Sequence, residues 1–261
     1  MKNQISLLVV FLMVIAVSCK DNEEPAPHID AKLSCIRTET NVYLNGVPSG
    51  KTNYRHNDKS QTVVELSYND KDELTDSEHH TYNANNLKTR SYYYSFPYKI
   101  TQVQTWEYTA FGEIDYQEIA VNGKVTNSQQ YFYSSGERLD SLHSLSSSNG
   151  MFRLLYTYEN DKVKTITTFN PDSFIIEIEE YVYDGLKTTI SSKDENGILA
   201  ATIEITTNED GLQTEWKQTD SFGNVEIHRV TAYDENNNIV SIIDDYGIHG
   251  IYEYRTDWKC P

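Results

Sequence analysis

The sequence predicts an all-β protein, an antiparallel β-meander built of ~25-residue hairpin repeats that bends into a curled sheet or barrel-like shell. Three observations predict it. Apolar and polar residues alternate with period two, turn dipeptides punctuate the chain at short intervals, and tyrosines recur at a fixed spacing before those turns.

The alternation defines the strands. Leu212, Thr214 and Trp216 fall on one face, and Gln213, Glu215 and Lys217 on the other. The triplets Ile239, Ser241, Ile243 and Val64, Leu66, Tyr68 alternate in the same way. Period two is the signature of half-buried strands, because successive side chains of a strand point to opposite faces. After the N-terminal apolar run no stretch carries helical periodicity. Low hydrophobicity with high net charge is a mark of disorder, but twenty tyrosines and many β-branched residues mark an ordered sheet protein.

The turns define the repeat. Tyr108, Tyr133, Tyr158, Tyr183 and Tyr233 each lead into a turn-like segment, and Thr207 takes the tyrosine's place before Asn208-Glu209-Asp210-Gly211. The spacing is ~25 residues, within the range of repeat architectures. A second set of turns lies between them, at Asn122-Gly123, Asn149-Gly150, Asn170-Pro171-Asp172, Asn196-Gly197, Phe222-Gly223 and Tyr246-Gly247. Asn-Gly supplies the positive φ that tight hairpins require. Each repeat therefore reads strand, turn, strand, turn. Tyr43, Tyr68 and Tyr82 also precede turns, but at spacings that depart from the period. An insertion or degenerate repeat is expected around residues 83–105, where Tyr92, Tyr93, Tyr94 and Pro97 fall.

The pattern of an aromatic strand followed by Tyr-Asp-x-x-Gly-x-Leu resembles the YD repeats of RHS-type proteins and related repeat lipoproteins of the Bacteroidota. It covers residues ~60–250. Tyr183-Asp184 and Tyr233-Asp234 carry the pair literally, and the arginine common in YD repeats is mostly absent. The resemblance implies a β-meander that curls into a shell or barrel, and no catalytic residue. Physics agrees. Some fifteen strands at about 4.8 Å spacing would make a sheet ~70 Å wide, and twisted sheets of that width curl, split or close. Tyrosine suits such a sheet, since its ring packs across strands while its hydroxyl stays wet.

Three segments organise the chain: 1–18 as a lipoprotein signal peptide, 19–32 as a lipidated cysteine with a flexible acidic tether, and 33–261 as the β-repeat domain. Lys2 precedes an apolar run from Ile5 to Val17, too short for a membrane-spanning helix and of signal-peptide length. Ala16-Val17-Ser18-Cys19 resembles a lipobox, which implies cleavage before Cys19 and lipid on its thiol. Ala16 stands where leucine is usual. Two or three acyl chains make such anchoring stable, whereas one does not. Lys20-Asp21-Asn22-Glu23-Glu24 resembles the export signal of surface-displayed lipoproteins. The implied location is the outer membrane, surface-exposed, otherwise periplasm-facing. Pro25 and Pro27 would break a ladder and fit a tether.

The formal net charge is -17, and loss of Lys2 with the signal makes it -18. Such a chain is repelled by nucleic acid and by anionic head groups, which removes both as partners. In an oxidising compartment Cys35 and Cys260 are candidates for a disulfide, the alternative being two free or buried thiols. A bond between them would favour a closed barrel, because in a flat sheet they would lie far apart.

No nucleophile elbow, zinc-protease helix or phosphate loop is present, so no catalytic, metal or cofactor site is assigned. His79 and His80 would point to opposite faces of a strand and cannot chelate one ion together; a solvated edge is expected for them. The segment from Asp234 to Asp245 begins like a calcium loop. It has Ile239 where glycine is required and ends on aspartate, so a plain hairpin turn is expected. Trp106, Trp258 and the Tyr92, Tyr93, Tyr94 run are the candidates for ligand contact through aromatic faces. Trp216, in register with Leu212, is expected to pack within the sheet. Three functions follow. The first is a binding or scaffold module for a glycan or protein partner, with a contiguous exposed aromatic patch. The second is a spacer with aromatics evenly distributed and buried. The third is a closed barrel carrying an apolar ligand.

Overall fold

The computed structural model describes residues 35–134, 138–247 and 250–259. Those residues form eighteen β-strands. The first nine are β1 (Ile36–Leu44), β2 (Val47–His56), β3 (Thr62–Asn69), β4 (Leu74–Tyr82), β5 (Lys88–Ser95), β6 (Ile100–Tyr108), β7 (Ile114–Val121), β8 (Lys124–Tyr133) and β9 (Leu139–Ser146). The second nine are β10 (Gly150–Glu159), β11 (Lys162–Phe169), β12 (Ile175–Asp184), β13 (Lys187–Asp194), β14 (Leu199–Thr207), β15 (Gln213–Asp220), β16 (Val225–Tyr233), β17 (Ile239–Asp245) and β18 (Ile251–Lys259). Each strand pairs antiparallel with the next, and β1 pairs with β18, so the meander closes into a barrel. Thr40 sits opposite Thr256 on one side and Thr52 on the other, and the Thr40 and Thr256 hydroxyls hydrogen-bond at 3.1 Å across the seam.

Two expectations are corrected. The barrel has eighteen strands rather than about fifteen. Residues 83–105 hold no insertion, since β5 and β6 form a regular hairpin and Tyr82 stands 26 residues before Tyr108, in phase with the rest. The unit looked irregular because its tip reads Phe96-Pro97-Tyr98-Lys99, with Lys99 rather than glycine at positive φ.

The recurring tyrosine is a clamp. At the end of most even-numbered strands the ladder to the following strand carries a one-residue bulge, as at Thr81/Tyr82, Glu107/Tyr108, Phe132/Tyr133, Thr157/Tyr158 and Ala232/Tyr233. Bulges strengthen local twist and redirect the side chain. The phenol then reaches back to the strand before and donates to a main-chain carbonyl near its start. Tyr82 meets Thr62 at 2.7 Å, Tyr108 meets Lys88 at 2.5 Å, Tyr133 meets Ile114 at 2.7 Å and Tyr158 meets Leu139 at 2.6 Å. Burial pushes the hydroxyls of Tyr108 and Tyr233 above their ordinary pKa, which keeps them donors. Thr207 and Trp258 replace tyrosine at two of these positions and still donate, to Leu186 and Ile239. The turn that follows is capped by an Asx side chain: Asp234 accepts the amides of Asn236 and Asn238, as Asn83 accepts those of Asn85 and Leu87. The Asn238 side chain and these amides hold the Asp234 carboxyl below its ordinary pKa, and this segment is a hairpin turn.

The two sheet faces differ. Directly paired residues share a face, so Tyr181, Ile190, Ile203, Gln218 and Ile227 line one side. Among the described residues every buried side chain except Ser77 lies on that side. On a closed sheet the concave face is where side chains converge, so this side is the lumen. One arc of the lumen is apolar, with Leu142, Leu154, Ile166, Ile190, Ile203 and Ile205; another is polar, with Glu65, Asp76, Glu78, His80, Ser91 and Gln117. Asp244, 1 % exposed, is held there by Arg229 through two bonds of 2.6 and 2.7 Å. The convex face carries ion pairs, including Lys193–Glu180, Lys187–Glu204 and His228–Glu215.

Candidate functional site

The two rims of the barrel are chemically distinct. The rim formed by the turns after even-numbered strands is mostly polar, made of Asx-capped loops such as 57–61, 83–87, 208–212 and 234–238, with Phe111 and Leu186 exposed in its turns and Phe132, Val182 and Tyr183 exposed at the strand ends beside them. Ile36 and Lys259 lie at this rim, opposite each other. The other rim, formed by the turns within the odd–even hairpins, is an apolar crown. Val47, Tyr98, Val125, Met151, Phe174, Ile198, Phe222 and Ile251 are exposed on eight of its nine hairpins. Phe222 is 90 % exposed, Tyr98 77 % and Phe174 68 %. The ninth hairpin, β3–β4, carries Asp70, Lys71, Asp72 and Glu73 instead. Eighteen strands at about 4.8 Å give a ring at least ~27 Å across. Large exposed apolar patches of this kind mark interaction sites. The crown went unread in the sequence because Val125 or Ile198, at a strand start, looks like any strand residue until closure brings the hairpins into one ring.

The sequence candidates scatter. Tyr92, Tyr93 and Tyr94 alternate across the sheet and make no common patch: Tyr92 and Tyr94 are convex, while Tyr93 turns into the lumen and donates to Asp76. Trp258 is a clamp residue and stacks with Arg37 at 5.3 Å. Trp216 packs in the lumen between Ile205 and Arg229. Trp106 alone lines a cleft, of about 470 Å³ at the polar rim, with Asn83, Asn85, Glu107, Thr109 and Phe111. Lys88 lies over its ring at 6.0 Å. Cys35 is disulfide-bonded. Cys260 and Cys19 lie outside the described residues, as do the segments expected to be a signal peptide (1–18) and a tether (19–32).

A polar cluster in the lumen escaped the sequence reading. His79 and His80 do point to opposite faces, but only His79 is solvated. The side chain of His80 is 2 % exposed and faces Glu65 of β3 and Glu78 of β4. Its Nε2 is 3.0 Å from Glu65 Oε1, and its Nδ1 is 3.7 Å from Glu78 Oε1. Ser91 donates to that same Glu78 oxygen. The His80 bond, the first cause, holds the Glu65 carboxyl below its ordinary pKa. The signal that would have found His80 is the repeat itself. Two residues before the clamps Tyr82, Tyr108, Tyr133, Tyr158 and Tyr183 stand His80, Trp106, Tyr131, Tyr156 and Tyr181, an inner belt in which His80 occupies an otherwise aromatic position, while Ile205, Thr231 and Thr256 precede Thr207, Tyr233 and Trp258.

No family model matches the chain, and no curated protein matches it. Among solved structures, a porin-like protein from Bacteroides uniformis is similar at 10 % identity over 85 % of this chain and 96 % of its own, with a TM-score of 0.47. A porin-like protein from Bacteroides vulgatus is similar at 10 % identity over 87 % of this chain and 99 % of its own, with a TM-score of 0.33. A chain of the TcdB2-TccC3-Cdc42 structure is similar at 11 % identity over 84 % of this chain and 16 % of its own, with a TM-score of 0.22.

Proposed function

We propose that this chain is an envelope-anchored binding module: a closed β-barrel held to the outer membrane by lipid on Cys19, which docks a protein partner through its apolar crown. The crown is the observation that carries this reading. A spacer would bury its aromatic residues between strands, whereas here Phe222, Tyr98 and Phe174 project from one end. A protein surface suits the crown better than a lipid surface, because acidic residues are set among the apolar ones, at Asp172, Glu195 and Asp220. Anionic head groups would repel them, while an apolar centre with polar surroundings is ordinary interface anatomy. The convex face argues for a barrel bathed in water. Lys217 and Arg255 lie mid-strand there, where a lipid-facing band would have to be apolar, and a lysine or arginine at the bilayer midplane costs about 2–4 kcal/mol. An anchor on Cys19 would join the barrel through Ile36, at the rim opposite the crown.

The test is site-specific photocrosslinking in intact cells. Probes at Phe222 and Tyr98 are expected to give one discrete protein adduct, and a probe at Asn236 on the polar rim none. Adducts at Asn236 of equal strength, adducts to lipid alone, or no adduct at the crown would sink the reading.

A second reading rests on the Trp106 cleft. Its indole face, with Asn85, Glu107 and Thr109 beside it, has the makeup of a glycan subsite. Glycan-array binding lost in Trp106→Ala is its expected outcome, and no binding on the array removes it.

A further inference from the structure

We infer that Glu65, Glu78 and His80 form a lumen-facing site for a borderline divalent transition ion of the zinc class. The donor atoms of the three side chains all lie within 4.8 Å of one another. Acidic clusters without an ion are common, and the decisive observation is on the histidine. Its Nδ1 is fully buried and has no hydrogen-bond partner, which is unique among the described buried side-chain nitrogens and oxygens.

The protonation pattern follows from the acceptors. The Glu65 carboxylate can only accept, so Nε2 of His80 carries the proton and donates it across 3.0 Å. Nδ1 then presents a bare lone pair toward Glu78 Oε1, another lone-pair atom, across 3.7 Å. Two such atoms repel unless a cation, either a proton or a metal ion, lies between them. That gap is too long for a hydrogen bond. It is close to that of an ion bound to both, since two bonds of about 2.1 Å meeting at the tetrahedral angle span ~3.4 Å. Glu65 then does what a carboxylate behind a metal-bound imidazole does, fixing the ring and raising its basicity, and the Ser91 hydroxyl orients Glu78 in the same manner. The imidazole ligand selects zinc-like ions over calcium or magnesium. The remaining coordination positions open to the lumen, where water or an anionic ligand would complete the set.

The experiment is zinc titration of the purified full chain, stripped with chelator, followed by calorimetry and by the visible absorption of the cobalt(II) form. One ion per chain is expected. His80→Gln and Glu78→Gln should each weaken binding at least 100-fold, and Ser91→Ala and Glu65→Gln by about 10–100-fold. His79→Gln, one residue away on the convex face, should change nothing. Far-UV circular dichroism checks that each variant folds; should His80→Gln not fold, Glu78→Gln decides. The inference is overturned if zinc does not bind, if binding survives His80→Gln or Glu78→Gln in folded protein, or if it vanishes with His79→Gln. The outcome is independent of the crown, whose crosslinks would be unaffected by any of these variants.

Discussion

The hydroxyl of Tyr233, at the end of β16, donates to the main-chain carbonyl of Gln213, at the start of β15, over 2.8 Å. The bond ties the two strands where the ladder between them runs out. A neutral bond of this kind contributes about 0.5–1.5 kcal/mol. Tyr233→Phe should lower stability by about that amount in urea unfolding. Tyr158→Phe should do the same, and the double variant should show the sum, because the sites share no partner. Tyr98→Phe, on the exposed crown, should have no effect.

Asp244 and Arg229 make the most enclosed charged pair among the described residues. The Asp244 bond holds the Arg229 guanidinium above its ordinary pKa, so it stays charged. Asp244→Asn should destabilise by about 2–4 kcal/mol, short of the full penalty for a buried pair because Arg229 retains water. Replacing both, as Asp244→Leu with Arg229→Met, should recover most of the loss. Thermal and urea melts of the three variants decide it; a double variant as poor as Asp244→Asn would refute the argument.

Glu179 is buried on the lumen face, and desolvation raises its carboxyl above the ordinary range, partly offset by the Tyr181 hydroxyl, which donates at 2.9 Å. The sign follows. The folded chain holds this proton more tightly than the unfolded chain, so Glu179 favours folding most at acid pH. Its contribution becomes a penalty as pH rises from the unfolded carboxylate range through the raised folded value. Glu179→Gln keeps an acceptor for Tyr181 and removes the ionisation. Its stability relative to wild type should therefore climb between pH 4 and pH 7. A difference that is flat with pH would show that Glu179 ionises freely.

Ile36 opposite Lys259 is the last pair of the closing ladder, and the next residues outward are Cys35 and Cys260. Non-reducing peptide mapping should recover these two cysteines in one linked fragment. Cys260→Ser should cost about 2–5 kcal/mol. Recovery of Cys35 linked to Cys19 instead would refute the pairing and contradict lipid on Cys19.

Much of the fold was legible because it is local. Alternation placed the strands, and Asx and glycine placed the turns. The period was readable wherever tyrosine marked it. It was lost where other residues do the same work: His56 occupies the corresponding bulge near the N-terminus, and Trp258 the corresponding bond at the C-terminus. Closure was legible as one outcome of so wide a sheet, but the seam that seals it was not. It depends on the total number of strands and on the register of Thr40 with Thr256, residues joined by no short-range pattern. The crown and the His80 cluster were hidden for the same reason, since each gathers residues that become neighbours only across strands.

The seam between β1 and β18 has a consequence for how the architecture can change. Every even-numbered strand returns the chain to the rim where it began, so β1 and β18 can pair antiparallel only because the strand total is even. Barrel circumference is therefore quantised. Loss or duplication of one strand leaves the two ends parallel, so the antiparallel seam is lost and the ring must close through a weaker parallel pairing or keep a raw edge open to aggregation. Loss or duplication of a whole ~25-residue unit preserves polarity and allows a narrower or wider ring to seal. Genetic slippage in such a gene is tolerated in steps of one hairpin, and the bore of the barrel is the quantity it tunes.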